Sequence, residues 1–273
     1  MKDFVDKQVL ITGGASGIGL ALAKDFSGRG AKIIIADRNE EAIKKAGTEL
    51  DAIGAKPLFI KVDLLHAEEV ERLAKSALEQ AGRVDILVNN AGIGVACPVW
   101  KLDVEDWDAV MSVNLRAPIL LVHYLLPHMI ERGSGHIVNV SSLAGKIGTP
   151  ALATYTSSKF GLVGYSEAIR SELMSKGIGV TVVCPGIVKT PILETSVIKG
   201  LVDIPREPPY DYISPEKAAS IIIRGIMKNK RLVVPSGLPM YLGYQSHKLF
   251  PGLIHYVARK TFEKWEREPV EEP

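Results

Sequence analysis

The chain is poor in cysteine, has almost no excess charge and lacks a long apolar run. Its two cysteines, Cys97 and Cys184, are too few for a disulfide framework or a four-thiolate metal site. The six histidines form no His-Glu-x-x-His motif, so no metal site is predicted. With 33 basic and 31 acidic residues, the net charge of +2 gives no electrostatic reason to expect nucleic-acid binding.

Membrane-spanning and secretory segments are also missing from the sequence pattern. An uninterrupted apolar run of about 18 residues, the usual sign of a spanning helix, is absent. The N-terminus MKDFVDKQVLITGG has acidic residues where a secretory signal needs an apolar stretch. We therefore expect a cytoplasmic protein whose two thiols stay reduced.

What the sequence does contain is a regular alternation of short apolar runs and helical segments. The β-branched, strand-like runs are 7–12, 31–36, 56–62, 84–88, 135–140, 178–184 and 231–235. The helical segments between them are 17–29, 39–53, 67–82, 105–132, 153–176 and 214–229. This alternation implies right-handed βαβ crossovers. It predicts an α/β fold with a Rossmann-like, doubly wound, seven-stranded parallel sheet and helices on both faces, in a single domain over residues 1–273.

Two segments fall outside that alternation. Residues 190–213 are irregular and proline-containing, which is typical of a lid over a binding site. Residues 236–273 form a C-terminal extension with a predicted helix at about 252–267. Its apolar stripe consists of Leu253, Ile254, Val257, Ala258, Thr261, Phe262 and Trp265, with Lys and Arg mainly off the stripe. Such a helix packs on its own domain or on a neighbouring subunit, or makes a peripheral membrane contact.

A glycine-rich turn follows the first predicted strand, with the spacing Thr12-Gly13-x3-Gly17-x-Gly19 and Ser16 and Ile18 between the glycines. Glycines at a strand-to-helix turn let a dinucleotide pyrophosphate approach the amide groups of the helix N-terminus. A glycine run alone can be simple punctuation. Its position between the first strand and a helix makes it a candidate cofactor site.

The second strand ends in Asp37, followed by Arg38. A carboxylate there can accept hydrogen bonds from both adenosine ribose hydroxyls and would repel a 2′-phosphate. Arg38 could instead pair with a 2′-phosphate, or be an ordinary surface cation. We expect NAD to be preferred over NADP.

Polar residues also end the third and fourth strands. Asp63-Leu64 follows the third strand, and Asn89-Asn90-Ala91-Gly92 follows the fourth. The carboxyl ends of parallel strands form the ligand-binding edge of a doubly wound sheet, although Asp and Asn also cap turns. We predict that Asp63, Leu64, Asn90, Ala91 and Gly92 contact the cofactor.

Tyr155 and Lys159 lie four residues apart at the start of a predicted helix and share one face. A free phenol titrates near pH 10, and a nearby ammonium group would lower its pKa. Tyr155 could then exchange a proton with a substrate oxygen. Ser142, at the end of the fifth strand, could hydrogen-bond the same oxygen, and Asn114 could hold a water beside Lys159.

Taken together, these motifs resemble the short-chain dehydrogenase/reductase family, in its main single-domain branch, over about residues 5–235. The resemblance rests on the glycine turn, Asp63, Asn89-Asn90-Ala91-Gly92, Asn114, Ser142, Tyr155-x3-Lys159, Pro185-Gly186 and Thr190. It implies that Tyr155 is the general acid/base, that Lys159 lowers its pKa and binds the nicotinamide ribose, that Ser142 orients the substrate and that Asn114 completes a proton relay. It also implies that Pro185, Gly186, Val188 and Thr190 hold the nicotinamide, and that the protein is a homodimer or homotetramer.

The expected function is therefore NAD(P)-dependent interconversion of a secondary alcohol and a ketone. The lid and residues 95–99 are rich in apolar side chains, which favours an apolar, lipid-, steroid- or alicyclic-like substrate, although the same residues could simply pack together. The alternatives are an NADPH-dependent 3-oxoacyl or carbonyl reductase and a non-catalytic nucleotide-sensing protein on the same fold. A sugar-nucleotide epimerase of the family's extended branch is disfavoured, because the C-terminal extension is short for a second substrate domain.

Overall fold

The computed structural model describes residues 3–202 and 212–266, and its main sheet has seven parallel strands. They are β1 (Gln8–Thr12), β2 (Lys32–Asp37), β3 (Leu58–Lys61), β4 (Ile86–Asn89), β6 (Gly135–Val140), β7 (Ile178–Val183) and β9 (Leu232–Val233). Their spatial order is β3-β2-β1-β4-β6-β7-β9. The order reverses direction between β1 and β4, which is the doubly wound arrangement that the sequence predicted.

Ten α-helices surround the sheet in the described part of the chain. They are α1 (Gly17–Gly28), α2 (Glu40–Asp51), α3 (Ala67–Ala81), α4 (Val104–Met111), α5 (Ala117–Glu131), α6 (Ala153–Leu173), α7 (Ile192–Thr195), α8 (Pro215–Met227), α9 (Leu238–Leu249) and α10 (Pro251–Trp265). Helices α1, α2 and α8 cover one face, and α3, α5 and α6 cover the other. Helices on both faces of the sheet confirm the predicted fold class.

The strands are apolar on consecutive residues because both faces of the sheet are covered. Along β1, Val9 and Ile11 enter the core beneath α1 and α8, whereas Leu10 enters the opposite core. Each side chain buried in this way contributes about 1.5–3 kcal/mol relative to an exposed one. The two apolar layers hold the carboxyl ends of β1, β2, β4 and β6 at a common edge.

The predicted helix 105–132 is interrupted. A π-helical turn at Ser112–Arg116 separates α4 from α5. By length and composition alone, residues 104–131 could cross a membrane, but 44% of the most apolar window is buried inside the fold. Burial of this kind is typical of a core helix.

The described part of the predicted lid contains α7 and a short strand, β8 (Val197–Ile198). This strand pairs in parallel with β5 (Val95–Ala96), forming a second, two-stranded sheet that the sequence did not predict. The remaining lid residues, 203–211, lie outside the described residues.

The C-terminal extension contains two helices rather than the single predicted helix at 252–267. Helix α9 was not predicted, α10 ends at Trp265, and Arg267 lies outside the described residues. The predicted apolar stripe of α10 is divided between two environments. Ile254, Ala258, Thr261, Phe262 and Trp265 are partly buried, whereas Leu253 and Val257 are exposed.

Candidate active site

The turn after β1 is locked to the end of β4 by hydrogen bonds. The Thr12 Oγ1 accepts hydrogen bonds from the Asn90 and Ala91 amides at 3.0 and 3.1 Å. The Asn90 Nδ2 donates to the carbonyls of Thr12 and Gly13, both at 3.0 Å. The turn and the strand end therefore form one rigid unit.

Two glycines in this turn cannot be replaced without moving it. Gly13 has a φ of +59°, and a Cβ there would lie 2.9 Å from the Ala91 Cα. A Cβ on Gly19 would lie 2.2 Å from the Gly13 carbonyl oxygen. These contacts explain the residue type at both positions by backbone crowding.

The N-terminus of α1 opens from this turn. Ser16 is the N-cap residue, yet its side chain makes no capping hydrogen bond with the described residues. The first-turn amides, at Gly17 and Ile18, are thus available to an anion, and the helix dipole favours negative charge there. This donor set fits a dinucleotide pyrophosphate.

Asp37 faces the same turn. Its Oδ2 accepts a hydrogen bond from the Ala15 amide at 3.2 Å, and its Oδ1 accepts one from the Asn39 amide at 3.1 Å. These two bonds hold the carboxylate at the end of β2, beside the glycine turn, which suits the ribose hydroxyls of an adenosine.

Arg38 lies on the other side of that strand end and is exposed. It lines a cavity of about 600 Å³ together with Val62, Asp63 and Arg72. Asp63 accepts a hydrogen bond from the Leu65 amide at 3.0 Å, and Leu64 is buried beside it. The cavity brings Arg38 and Asp63 together at the sheet edge.

Lys159 is buried in the first turns of α6. Its Nζ donates a hydrogen bond to the Val140 carbonyl at 3.0 Å and lies 5.5 Å from the centre of the Tyr155 ring. Burial lowers the pKa of Lys159 to about 8. The side chain still carries its charge at neutral pH.

Tyr155 differs from the sequence-based expectation. Burial raises the pKa of its phenol above the ordinary value, and the hydrogen bond with Ser142 opposes that rise without cancelling it. Desolvation is therefore the dominant influence on the pKa of this phenol. Ser142 itself is fixed at the end of β6 by accepting a hydrogen bond from the Ala144 amide at 3.1 Å.

Asn114 lies in the π-helical turn and is fully buried. Its Oδ1 accepts a hydrogen bond from the Ile93 amide, and its Nδ2 donates to the Ile93 carbonyl, both at 2.9 Å. A methyl group on Gly92 would lie 3.3 Å from the Asn114 Oδ1 and 3.4 Å from the Lys159 Nζ. Asn114 and Lys159 therefore face each other across Gly92.

The loop after β7 completes the edge. The Pro185 carbonyl accepts a hydrogen bond from the Leu143 amide at 2.9 Å, next to Ser142. Val188 forms a bridge with Ile213, and the Thr190 methyl would be 3.0 Å from a Cβ on Gly17. The structure thus brings the predicted nicotinamide loop, the catalytic candidates and the glycine turn to one side of the sheet.

The family model for short chain dehydrogenases matches residues 7–199, most of the chain. The chain belongs to this family.

Relatives of known name support the assignment over the full fold. The 3-oxoacyl-[acyl-carrier-protein] reductase FabG of Thermotoga maritima is 34% identical over 218 residues, covering 80% of this chain and 89% of the relative. The apo form of LigD from Sphingobium sp. strain SYK-6 is 32% identical, with a TM-score of 0.77, and the match covers 93% of this chain and 98% of LigD. A metagenomic short-chain oxidoreductase in complex with NADP is 31% identical, with a TM-score of 0.71 over 85% of this chain and 98% of that one.

This short-chain dehydrogenase is accordingly an NAD(P)-dependent oxidoreductase acting on alcohols or ketones. Neither the cofactor preference nor the substrate follows from membership of the family.

Sequence reasoning missed two residues of the site. Met240 of α9 packs at Gly186, where an added Cβ would lie 2.9 Å from its Cγ. The Ser196 Oγ would lie 2.8 Å from a Cβ on Gly94, close to the ring of Tyr155. Both come from segments with no predicted element, so only the tertiary fold could have revealed them.

Proposed function

We propose that this short-chain dehydrogenase interconverts a secondary alcohol and a ketone, with Tyr155 moving the proton at the substrate oxygen. The observation that carries the proposal is the desolvated phenol of Tyr155, held between Ser142 and the buried ammonium of Lys159. When bound, the nicotinamide cofactor supplies or accepts the hydride. Ser142 hydrogen-bonds the substrate oxygen, and Asn114 orients the loop that carries Gly92 beside Lys159.

Ketone reduction and alcohol oxidation require opposite protonation states of Tyr155. A phenol that remains protonated at neutral pH is a proton donor, and reduction requires a proton on the carbonyl oxygen as the hydride reaches the carbon. In the alcohol-oxidising direction the same group must be a phenolate. The positive charge of Lys159 stabilises that form.

NAD is the proposed cofactor, in preference to NADP. The support is the carboxylate of Asp37, which two backbone amides hold at the end of β2, where a 2′-phosphate would meet its charge. Arg38 and Arg72 in the neighbouring cavity are the features that favour the alternative, an NADPH-dependent 3-oxoacyl or carbonyl reductase. FabG is one relative whose name is that of a 3-oxoacyl reductase.

An apolar substrate is proposed from the apolar composition of the lid and of residues 95–99. Val95 and Cys97 pack with Val110 in a small apolar cluster, and β5 pairs with the lid strand β8. Ile192 and Leu193 of α7 are partly buried on the lid side. These side chains favour a lipid-, steroid- or alicyclic-like alcohol or ketone over a short polar one.

We further propose that the protein is a homodimer or homotetramer in the cytoplasm. Trp107 of α4 and Phe160 of α6 are large apolar side chains that the single chain leaves exposed on its long helices. Burying them between subunits would remove apolar surface from water. The free, buried thiols of Cys97 and Cys184 suit a reducing compartment.

The test compares Tyr155→Phe with Tyr165→Phe, a partly buried tyrosine on the same helix. We expect Tyr155→Phe to lower kcat by about 10²- to 10⁴-fold, the range for loss of a general acid, while the Kd for NADH in a fluorescence titration stays unchanged. Tyr165→Phe should retain turnover. Full activity in Tyr155→Phe would overturn the proposed role, and binding of NADH with no turnover by the unaltered protein on any alcohol or ketone would favour the nucleotide-sensing alternative.

Cofactor choice is tested by titrating NADH and NADPH against the unaltered protein and Asp37→Ser. The proposal expects tighter NADH binding, with the preference reduced or reversed in Asp37→Ser because the repulsion of the 2′-phosphate is lost. Tighter NADPH binding by the unaltered protein would show that Arg38 outweighs Asp37.

A further inference from the structure

The charge of this chain is unevenly distributed. Residues 217–262 contain no Asp or Glu, although the whole chain has 31 of them among 273 residues. The same segment contains eight basic residues: Lys217, Arg224, Lys228, Lys230, Arg231, Lys248, Arg259 and Lys260. It comprises β9, α9 and most of α8 and α10. Glu216 and Glu263 flank it, and Glu263 pairs with Arg259 and Lys260, so the unpaired cations lie mainly on α8, β9 and α9.

Several of these cations converge on one cavity. A cavity of about 470 Å³ between α8, β9 and α9 is lined by Arg224, Lys228, Lys230 and Lys248, and no acidic side chain of the described residues lines it. Arg224, Lys228 and Lys230 form no ion pair with any described residue. Tyr241 and Gln245 add polar groups to the wall. An anionic group would find several positive charges here and no negative one.

The junction of α9 and α10 exposes large apolar side chains next to this cavity. Leu249 and Phe250 at the junction are 74% and 61% exposed, and Leu253 is 60% exposed. Lys248, which lines the cavity, immediately precedes Leu249 in the chain. Leu253, Tyr256 and Val257 continue the apolar surface along α10. We call Leu249, Phe250 and Leu253 the apolar tip.

The opposite face of α10 packs against other parts of the same chain. The rings of Phe262 and Trp100 are 6.1 Å apart, edge to face, and the Val202 amide donates a hydrogen bond to the Trp265 carbonyl at 2.9 Å. Packing within the chain therefore accounts for one side of the helix. It leaves the apolar tip and the outward face uncovered.

We propose that this end of the protein is a docking surface for an anionic lipid bilayer, with the apolar tip inserted among the lipid chains and the basic cavity against the headgroup phosphates. Charge complementarity decides in favour of a bilayer over a second copy of the chain. A two-fold contact through this end would bring one basic cavity towards another, with repulsion between like charges. A surface that combines exposed apolar residues with clustered Lys and Arg has the chemistry of an interfacial anchor.

The proposal does not depend on which reaction the enzyme catalyses, and its test measures no turnover. The full chain is floated with vesicles of phosphatidylcholine alone and of phosphatidylcholine mixed with phosphatidylserine. We expect binding to the anionic vesicles that weakens as salt is added, because screening shortens the range of the charge interaction. Failure to bind the anionic vesicles would overturn the proposal.

Two pairs of substitutions separate the two parts of the surface. Leu249→Ser with Phe250→Ser should lower the partition coefficient by at least about 100-fold, since each large apolar side chain contributes more than one factor of ten when buried. Lys228→Gln with Lys230→Gln should lower it about 30-fold on anionic vesicles, because each Lys near such a surface contributes about one factor of five. All four substituted side chains are exposed, so circular dichroism should show an unchanged fold.

Matched controls come from the opposite end of the sheet. Ile53→Ser removes an exposed apolar side chain, and Lys45→Gln with Lys56→Gln removes two exposed cations. These variants should bind vesicles like the unaltered protein, and equal losses in the controls would overturn the assignment to this end. Sedimentation velocity tests the rival explanation, in which a second copy of the chain covers the apolar tip. An oligomer that the apolar-tip variant converts to a smaller species would show that a second copy covers the tip, and would overturn docking to a bilayer.

Discussion

The glycine turn after β1 and the helix pair α9–α10 lie at opposite extremes of packing. In the turn, neighbouring backbone atoms approach so closely that a single methyl group on Gly19 would overlap the Gly13 carbonyl. In the helix pair, Tyr244 is the one fully buried side chain of the two described helices, and α10 has none. The first region is determined by contacts within the chain, whereas the second leaves most of its apolar surface free for other molecules.

The contrast indicates how the protein divides its tasks. Cofactor chemistry needs atoms held within a few tenths of an ångström, and the crowded sheet edge provides this. The C-terminal helices are packed more loosely, which suits the proposed contact with a bilayer. Substitutions in the first region should therefore change turnover and stability, whereas those in the second should mainly change what the protein binds.

The largest expected effect is at Lys159, inside the crowded region. Lys159→Met should lower kcat by about 10³-fold, because the positive charge that stabilises the Tyr155 phenolate is lost. The Kd for NADH should rise less. Steady-state kinetics with Tyr165→Phe as the control checks this, and a variant that keeps turnover would remove Lys159 from the mechanism.

Lys159 should also make the free energy of unfolding depend on pH, and Lys159→Met should remove that dependence. Burial lowers the pKa of Lys159 to about 8 from 10.5, so the unfolded chain binds more protons between these values. The free-energy cost of burying the charged ammonium group is about 3 kcal/mol. It applies in full below pH 8 and disappears as the pH rises to 10.5. Urea unfolding should therefore show the unaltered protein gaining stability over this interval relative to Lys159→Met. A constant difference between the two proteins would contradict the lowered pKa.

The sequence predicted the sheet and its edge better than it predicted the more loosely packed segments. The seven main strands follow from local apolar patterns. The expectation that Tyr155, Lys159, Ser142 and Asn114 act together came from the resemblance to the family, because spacing alone does not place the helix that carries Asn114. The β5–β8 pair was not predictable, because two-residue strands carry no periodic signal. Helix α9 was missed since Gly243, in its interior, is a poor helix former. The raised pKa of Tyr155 required the burial of its phenol, which spacing along a helix does not encode.

A smaller effect is expected from alanine substitutions at Gly19 and Gly28, two glycines of α1 whose surroundings differ in how closely other atoms approach. Gly19→Ala should destabilise the protein by about 1–3 kcal/mol, as overpacking does, and weaken NADH binding because the turn must shift. Gly28→Ala, in the same helix, places its Cβ in open space and should be neutral or stabilising by up to about 1 kcal/mol. Chemical denaturation and NADH titration of both variants check this. Equal behaviour of the two variants would show that the turn is less rigid than its contacts indicate.

The smallest effect is expected at the contact between Phe262 of α10 and Trp100. Phe262→Ala removes an edge-to-face pair worth about 0.5–1.5 kcal/mol beyond its buried area. Because α10 is also bonded to the lid through Trp265 and Val202, we expect the KM for a bulky substrate to rise severalfold while the Kd for NADH stays constant. Phe250→Ala, at the apolar tip, should change neither constant in the absence of lipid. A change in NADH affinity in Phe262→Ala would mean that the packing of the C-terminal helices extends to the cofactor edge, through the contact of Met240 with Gly186.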